Sequence, residues 1–223
     1  MELLVERNSY DRYIVQMDGL SFTTFLKLAL MPSTQSKVGL LHRMMSSSEG
    51  YDFYKRTKLA GREVALDPTK ADEVFAELAK IKKDAERNHN VLMAKRFLNW
   101  WLALDTAAAF ADRPKGNYKT AEMAFSVRLR PELMYKHEGQ RLVTYLWATK
   151  FPALTKQAAA AGLLMLRKEL ATGPYADVRF QILDLRKEVL HGEDLISNVT
   201  EDHLSADIAL VNAIWISAKP LAA

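Results

Sequence analysis

Between Asp67 and Leu104 the apolar positions recur at helical spacing. Val74, Leu78, Ile81 and Ala85 form one stripe, and Leu92 continues it. Lys80, Lys82, Lys83, Asp84 and Glu86 fill the opposite positions, so the stretch predicts an amphipathic helix with one buried face. Asp67-Pro68 is a strong start: the Asp side chain accepts from orphan N–H groups, and Pro at the first helical position gives up no needed donor. Unbroken, such a helix would run to roughly 57 Å. Arg87, Asn88, His89 and Asn90 interrupt the stripe, which predicts either a kink there or a polar patch facing another part of the chain. Phe97, Trp100, Trp101 and Leu104 form an aromatic anchor beyond it.

Before this stretch the pattern is also mostly helical. Tyr13, Ile14 and Val15 suggest a short strand, and Asp18-Gly19 a turn. Ser21 is placed to cap a helix holding Phe22, Phe25, Leu26 and Leu28, which Pro32 should end. A second helix is expected from Ser33 to Met45, a loop from Ser46 to Gly50, and a third helix carrying Tyr51, Phe53, Tyr54, Leu59 and Val64. After Leu104, the Ala-rich run from Asp105 to Asp112 suggests a short helix. Arg113 to Lys119 suggests a loop between a helical region, 1–112, and an α+β region, 119–223, which are expected to form one compact unit.

The period changes at Met123. Met123, Phe125, Val127 and Leu129 alternate with Ala124, Ser126, Arg128 and Arg130, the pattern of a half-buried strand ended by Pro131. Leu133, Tyr135 and His137 suggest a second strand, Glu138-Gly139 a turn, and Arg141 to Ala148 a third strand, apolar on both faces and therefore central. Pro152 to Leu170 reads as a helix, whose small residues Ala158 to Gly162 allow close approach. Val178 to His191 fits both periods; the preceding Gly173-Pro174 break and its early β-branched and aromatic residues favour strand. Leu204, Ile208, Val211 and Trp215 mark a last helix, with Thr200 as its N-cap. The expected class is α+β: a helical N-terminal half, then a small, mainly antiparallel sheet with two packed helices.

Composition narrows the functional classes. With 223 residues, 49% hydrophobic, the chain is long and apolar enough for a packed core. It has no cysteine, which removes disulfides, thiolate metal sites and a Cys nucleophile. MELLVERNSY lacks the basic-then-apolar run of a signal peptide, and no apolar stretch is long enough to span a bilayer, so a cytoplasmic protein away from the membrane is expected. A net charge of +4 and a pI near 9.1 favour an anionic partner such as nucleic acid.

Two basic sets are candidates for such contact. Lys80, Lys82, Lys83 and Arg87, with Lys95 and Arg96, approach the tryptophans, although Asp72, Glu73, Glu77, Asp84 and Glu86 share the helix. Arg128 and Arg130 share one face of a strand, which should look to solvent or to an anionic partner. His203 and Asp207 are one helical turn apart, but two ligands fall short of a transition-metal site. No phosphate loop, nucleophile elbow, zinc-protease motif or paired catalytic carboxylates occur, and no cofactor is implied.

Arg186 and His191 are spaced R-x4-H, which resembles the motif of the HEPN ribonucleases over six residues, with Lys187 where a small polar or ring-bearing residue is usual. That resemblance implies metal-independent RNA cleavage by Arg186 and His191 meeting across a helical dimer. The run strand, strand, strand, helix, strand, helix is similar to the ribonuclease H-like order, but its first strand lacks the carboxylate that two-metal chemistry needs. The leading expectation is a non-catalytic binding or assembly protein that contacts nucleic acid, a protein partner or its own copies; the alternative is the HEPN-like ribonuclease.

Overall fold

A computed structural model describes residues 19–46, 53–105 and 108–218. The strand expected at Tyr13 to Val15, the loop residues Ser47 to Gly50, and Tyr51 lie outside them. The short strand β1 (Gly19–Ser21) is followed by five α-helices: α1 (Phe22–Leu30), α2 (Thr34–Ser46), α3 (Lys55–Leu66), α4 (Ala71–Ala79) and α5 (Asp84–Leu102). Ser21 caps α1, accepting from Thr24 N–H at 3.1 Å, as its position in the sequence predicts. Then come the strands β2 (Ala108–Ala109), β3 (Gly116–Tyr118), β4 (Ser126–Leu129), β5 (Leu133–His137), β6 (Gln140–Trp147), β7 (Arg179–Asp184) and β8 (Val189–Gly192). Helix α6 (Lys156–Leu170) joins β6 to β7, and α7 (Thr200–Ala218) closes the described chain.

The main sheet runs β2-β5-β6-β7-β8, with β6 central and parallel to β7 and the other pairs antiparallel. Alternation along these strands separates two cores. Met134, Val143, Tyr145, Trp147, Phe180 and Ile182 face α1, α6 and α7. Leu133, Tyr135, Leu142, Leu146, Leu183 and Leu185 face α3, α4 and α5. Each core therefore mixes residues from both halves of the sequence. A smaller sheet, β1-β4-β3, uses β1 (Gly19–Ser21) as a strand parallel to β4. Gly162 on α6 leaves room for the Phe22 ring: a Cβ there would lie 2.8 Å from Phe22 Cζ. Glu138 and Gly139, with φ of 48° and 79°, make the tight β5–β6 turn.

Several segments depart from their sequence pattern. The long helix breaks at Lys80 to Lys83, not at Arg87 to Asn90. Buried Ile81 pins the break, and Arg87 donates to the Ile81 carbonyl that the break releases, at 3.1 Å. The polar run is a patch turned onto another helix: Asn90 is fully buried, and its Oδ1 accepts from Thr57 N–H at 2.9 Å and from the Thr57 hydroxyl at 2.7 Å. Residue Tyr54 gives α3 no side-chain cap, so Asn90 supplies one from α5. Its Nδ2 donates to the Phe53 and Glu86 carbonyls.

The Ala-rich run contains the edge strand β2, not a helix. Asp105 turns the chain with φ 48°, and the open edge of β5 offers backbone partners that outweigh alanine's helix preference. The expected junction, 113–119, contains β3, paired to β4. Gly19, expected in a turn, lies in β1. Burial alternates from Met123 to Arg130 as the sequence predicts, but ladder pairing spans only Ser126–Leu129, because β1 and β3 are three residues long.

Trp101 is 5% exposed and meets the Tyr135 ring edge-on at 5.3 Å, whereas Trp100 is half-buried. Trp101→Ala should therefore cost about 3–5 kcal/mol. Trp100→Ala should cost clearly less, and urea unfolding of the two variants checks the order. Asn90→Ala strands the Thr57 donors and should cost about 1–3 kcal/mol in the same measurement.

Candidate functional site

One buried charged network stands where α1, α3, β5 and β6 meet. Glu132 precedes β5, and its Oε2 accepts Leu146 N–H at 2.8 Å, taking the place of a β5 carbonyl one step past the ladder's end at Leu133. Lys58, on α3, lies 3.1 Å from Glu132 Oε1, with the two side chains 14% and 10% exposed. The same ammonium donates to the Tyr145 hydroxyl at 2.9 Å and to Thr23 Oγ1 at 3.2 Å, and the two hydroxyls are 2.6 Å apart. It also sits 4.4 Å from the centroid of the Tyr145 ring.

Burial pushes the Glu132 carboxyl above its usual range, while Lys58 and the Leu146 N–H pull it back. Burial likewise raises the Tyr145 phenol. The Lys58 ammonium has three protons and three acceptors within reach, so the network is satisfied internally. Lys58 Nζ spends its hydrogen bonds inside the network, on Glu132, Tyr145 and Thr23.

Basic groups rim this network. Arg62 lies one turn beyond Lys58 on α3 and donates to the Ala111 carbonyl at 3.0 Å. Arg113 donates to the Pro131 carbonyl at 2.6 Å. Burial lowers the Arg113 guanidinium, and the positive charges of Arg62 and Arg130 act in the same direction, against Glu132 and Asp112. Arg128 and Arg130 are exposed, with buried Val127 and Leu129 alternating between them, so they look outward as the strand pattern predicts.

The helix-borne basic set is placed differently. Lys80, Lys82 and Lys83 lie in the turn between α4 and α5. Lys80 is bonded to Glu77, and Arg87 pairs with Asp84 at 2.6 Å, so acidic neighbours on the same elements offset much of this charge.

Arg186 and His191 fall on the β7–β8 hairpin, and the helix that the HEPN resemblance implies is not present there. The Arg186 guanidinium donates to the Lys150 carbonyl in the turn, while His191 is a buried β8 residue opposite Ile182. Burial lowers the His191 imidazole. Asp184, at the end of β7, spends Oδ1 on the turn's own N–H groups, of Arg186 and Lys187. His203 and Asp207 share α7 with Lys37 nearby, and burial raises the Asp207 carboxyl. Among the described residues no three His, Asp or Glu side chains gather closely enough to hold a metal ion. No described helix is long and apolar enough to cross a membrane.

Sequence reasoning missed Lys58, Arg62, Arg113 and Glu132. The one available signal was Glu132 itself, a lone acid between Pro131 and the apolar strand that follows. No protein-family profile matches the chain, and no curated protein sequence does.

Lys58→Met leaves a buried carboxylate without its cation and should cost about 3–5 kcal/mol, while Lys58→Met with Glu132→Gln should recover part of that loss in chemical denaturation. Because burial raises Glu132 in the fold, protonation favours the folded state. That contribution is full below the ordinary glutamate value of 4.5 and is lost as pH rises through the raised one. The stability of the parent relative to Glu132→Gln should therefore fall as pH rises above the ordinary glutamate value of 4.5, measured by urea titration at each pH.

Proposed function

We propose that this chain is a non-catalytic binding protein that contacts nucleic acid through the arginine face made by Arg62, Arg113, Arg128 and Arg130. The observation carrying this reading is the crowding of like charge. Arg62, Arg113 and Arg130 arrive from three separate segments; burial lowers the Arg113 guanidinium, and Arg62 and Arg130 lie close enough to act with it. None of the four joins an ion pair with a carboxylate among the described residues; Arg62 and Arg113 are anchored by backbone carbonyls, and Glu132 and Asp112 offset part of the charge near Arg113. Cations held in place by carbonyls and not by paired carboxylates favour a polyanion, whose binding releases condensed counterions.

The closed state of the Lys58 network supports binding over catalysis. Its donors are committed to Glu132, Tyr145 and Thr23, within the protein. The helix-borne set, Lys80, Lys82, Lys83 and Arg87, is a weaker candidate because of its acidic neighbours.

Fluorescence anisotropy with labelled DNA and RNA over a salt series tests the reading. Binding should weaken steeply with salt, and Arg128→Ala with Arg130→Ala should lower the slope by about one per residue. Lys82→Glu should change affinity less than Arg130→Glu. Absence of binding at low salt would overturn the proposal.

A further inference from the structure

The arginine face continues along one helix to a second cluster of cations. Tyr54, Lys58 and Arg62 are four residues apart, so they share a face of α3 and its N-terminus, over about 12 Å. That face lies along the sheet edge at which β6 and β7 end. The Tyr54 hydroxyl accepts Lys150 N–H at 3.0 Å, Lys58 holds Glu132, and Arg62 holds the Ala111 carbonyl.

At the Tyr54 end, Arg96, Lys150 and Arg186 gather around His89. Burial lowers the His89 imidazole, and these three charges act with it. His89 Nε2 is 2.8 Å from the Ala148 carbonyl, which assigns it the ring proton of the neutral form. Arg96 pairs with Glu188 at 3.0 Å. Lys150 and Arg186 make no ion pair among the described residues. Beside them the Phe151 ring is 62% exposed on the loop that leaves β6, with Phe53 and Tyr54 half-buried against His89.

We infer that the edge from Arg130, Arg113 and Arg62 to Lys150, Arg186 and Phe151 is a track for single-stranded nucleic acid. Phosphates meet the cations at both ends, and an unpaired base stacks on Phe151. The inference rests on the nucleic-acid reading above and adds the strandedness and the second contact point. An exposed ring next to unmatched cations suits a strand whose bases are free to stack. The charged face of α3 is turned onto the sheet, so it offers no protruding helix to a major groove.

The test is anisotropy with a short labelled oligothymidylate and with a duplex of the same length, using the full chain. Lys150 and Phe151 are exposed, so Lys150→Glu and Phe151→Ala spare the cores. Circular dichroism and urea unfolding confirm that the variants fold. Phe151→Ala should weaken oligothymidylate binding about 5- to 150-fold and leave duplex binding nearly unchanged. Lys150→Glu should weaken oligothymidylate binding and reduce its salt slope. If Arg130→Glu abolishes binding while Phe151→Ala and Lys150→Glu do not alter it, the track is wrong and the arginine-face reading stands. Tighter binding of the duplex than of the single strand also overturns the track. If the parent binds neither probe at low salt, both readings fall.

Discussion

The contact between Lys58 and Glu132 ties together parts of the chain that share no local sequence. Glu132 completes the hydrogen bonding of β6 where β5 stops, and Lys58 fixes α3 against that point. Thr23 and Tyr145 bring in α1 and the opposite face of β6. A buried ion pair of this kind adds little net stability over an apolar pair, but it tolerates few alternative positions for its partners. Through it the angle of α3 is set, and with that angle the direction in which Arg62 points.

Charge on this protein is better understood by what each cation is bound to than by counting. The basic residues between α4 and α5 are matched by acids one turn away, as on many solvated helices. The arginines near Glu132 are held by carbonyls, which fix a guanidinium without neutralising it. A net charge of +4 is modest, yet Arg62 and Arg130 crowd Arg113, and Arg96, Lys150 and Arg186 crowd His89.

Legibility in the sequence followed the range of the interactions. The central position of β6 was legible because its two apolar faces announce two cores. The cap at Ser21, the Glu138-Gly139 turn and the outward alternation of Arg128 and Arg130 were legible because each depends on near neighbours. The break at Lys80 to Lys83 was not, because what fixes it is the burial of Ile81 against distant residues. Asn90 looked like a helix interruption and is a cap for a different helix. For the Ala-rich run, local preference pointed to helix and the free edge of β5 decided otherwise. Lys58 and Glu132 carried no mutual signal, since their meeting is a product of the tertiary fold.

Pairing of β1 with β4 has a kinetic side. Gly19 meets Ser126 across most of the described helices, and the two strands run parallel. The hairpin of β5 and β6 closes over a two-residue turn, whereas β1 gains its partner only after a very long loop has been drawn shut. The smaller sheet therefore belongs late in assembly, with β4 presenting a bare ladder edge until Gly19–Ser21 docks, and that interval is when a chain of this topology is most open to pairing with a neighbour.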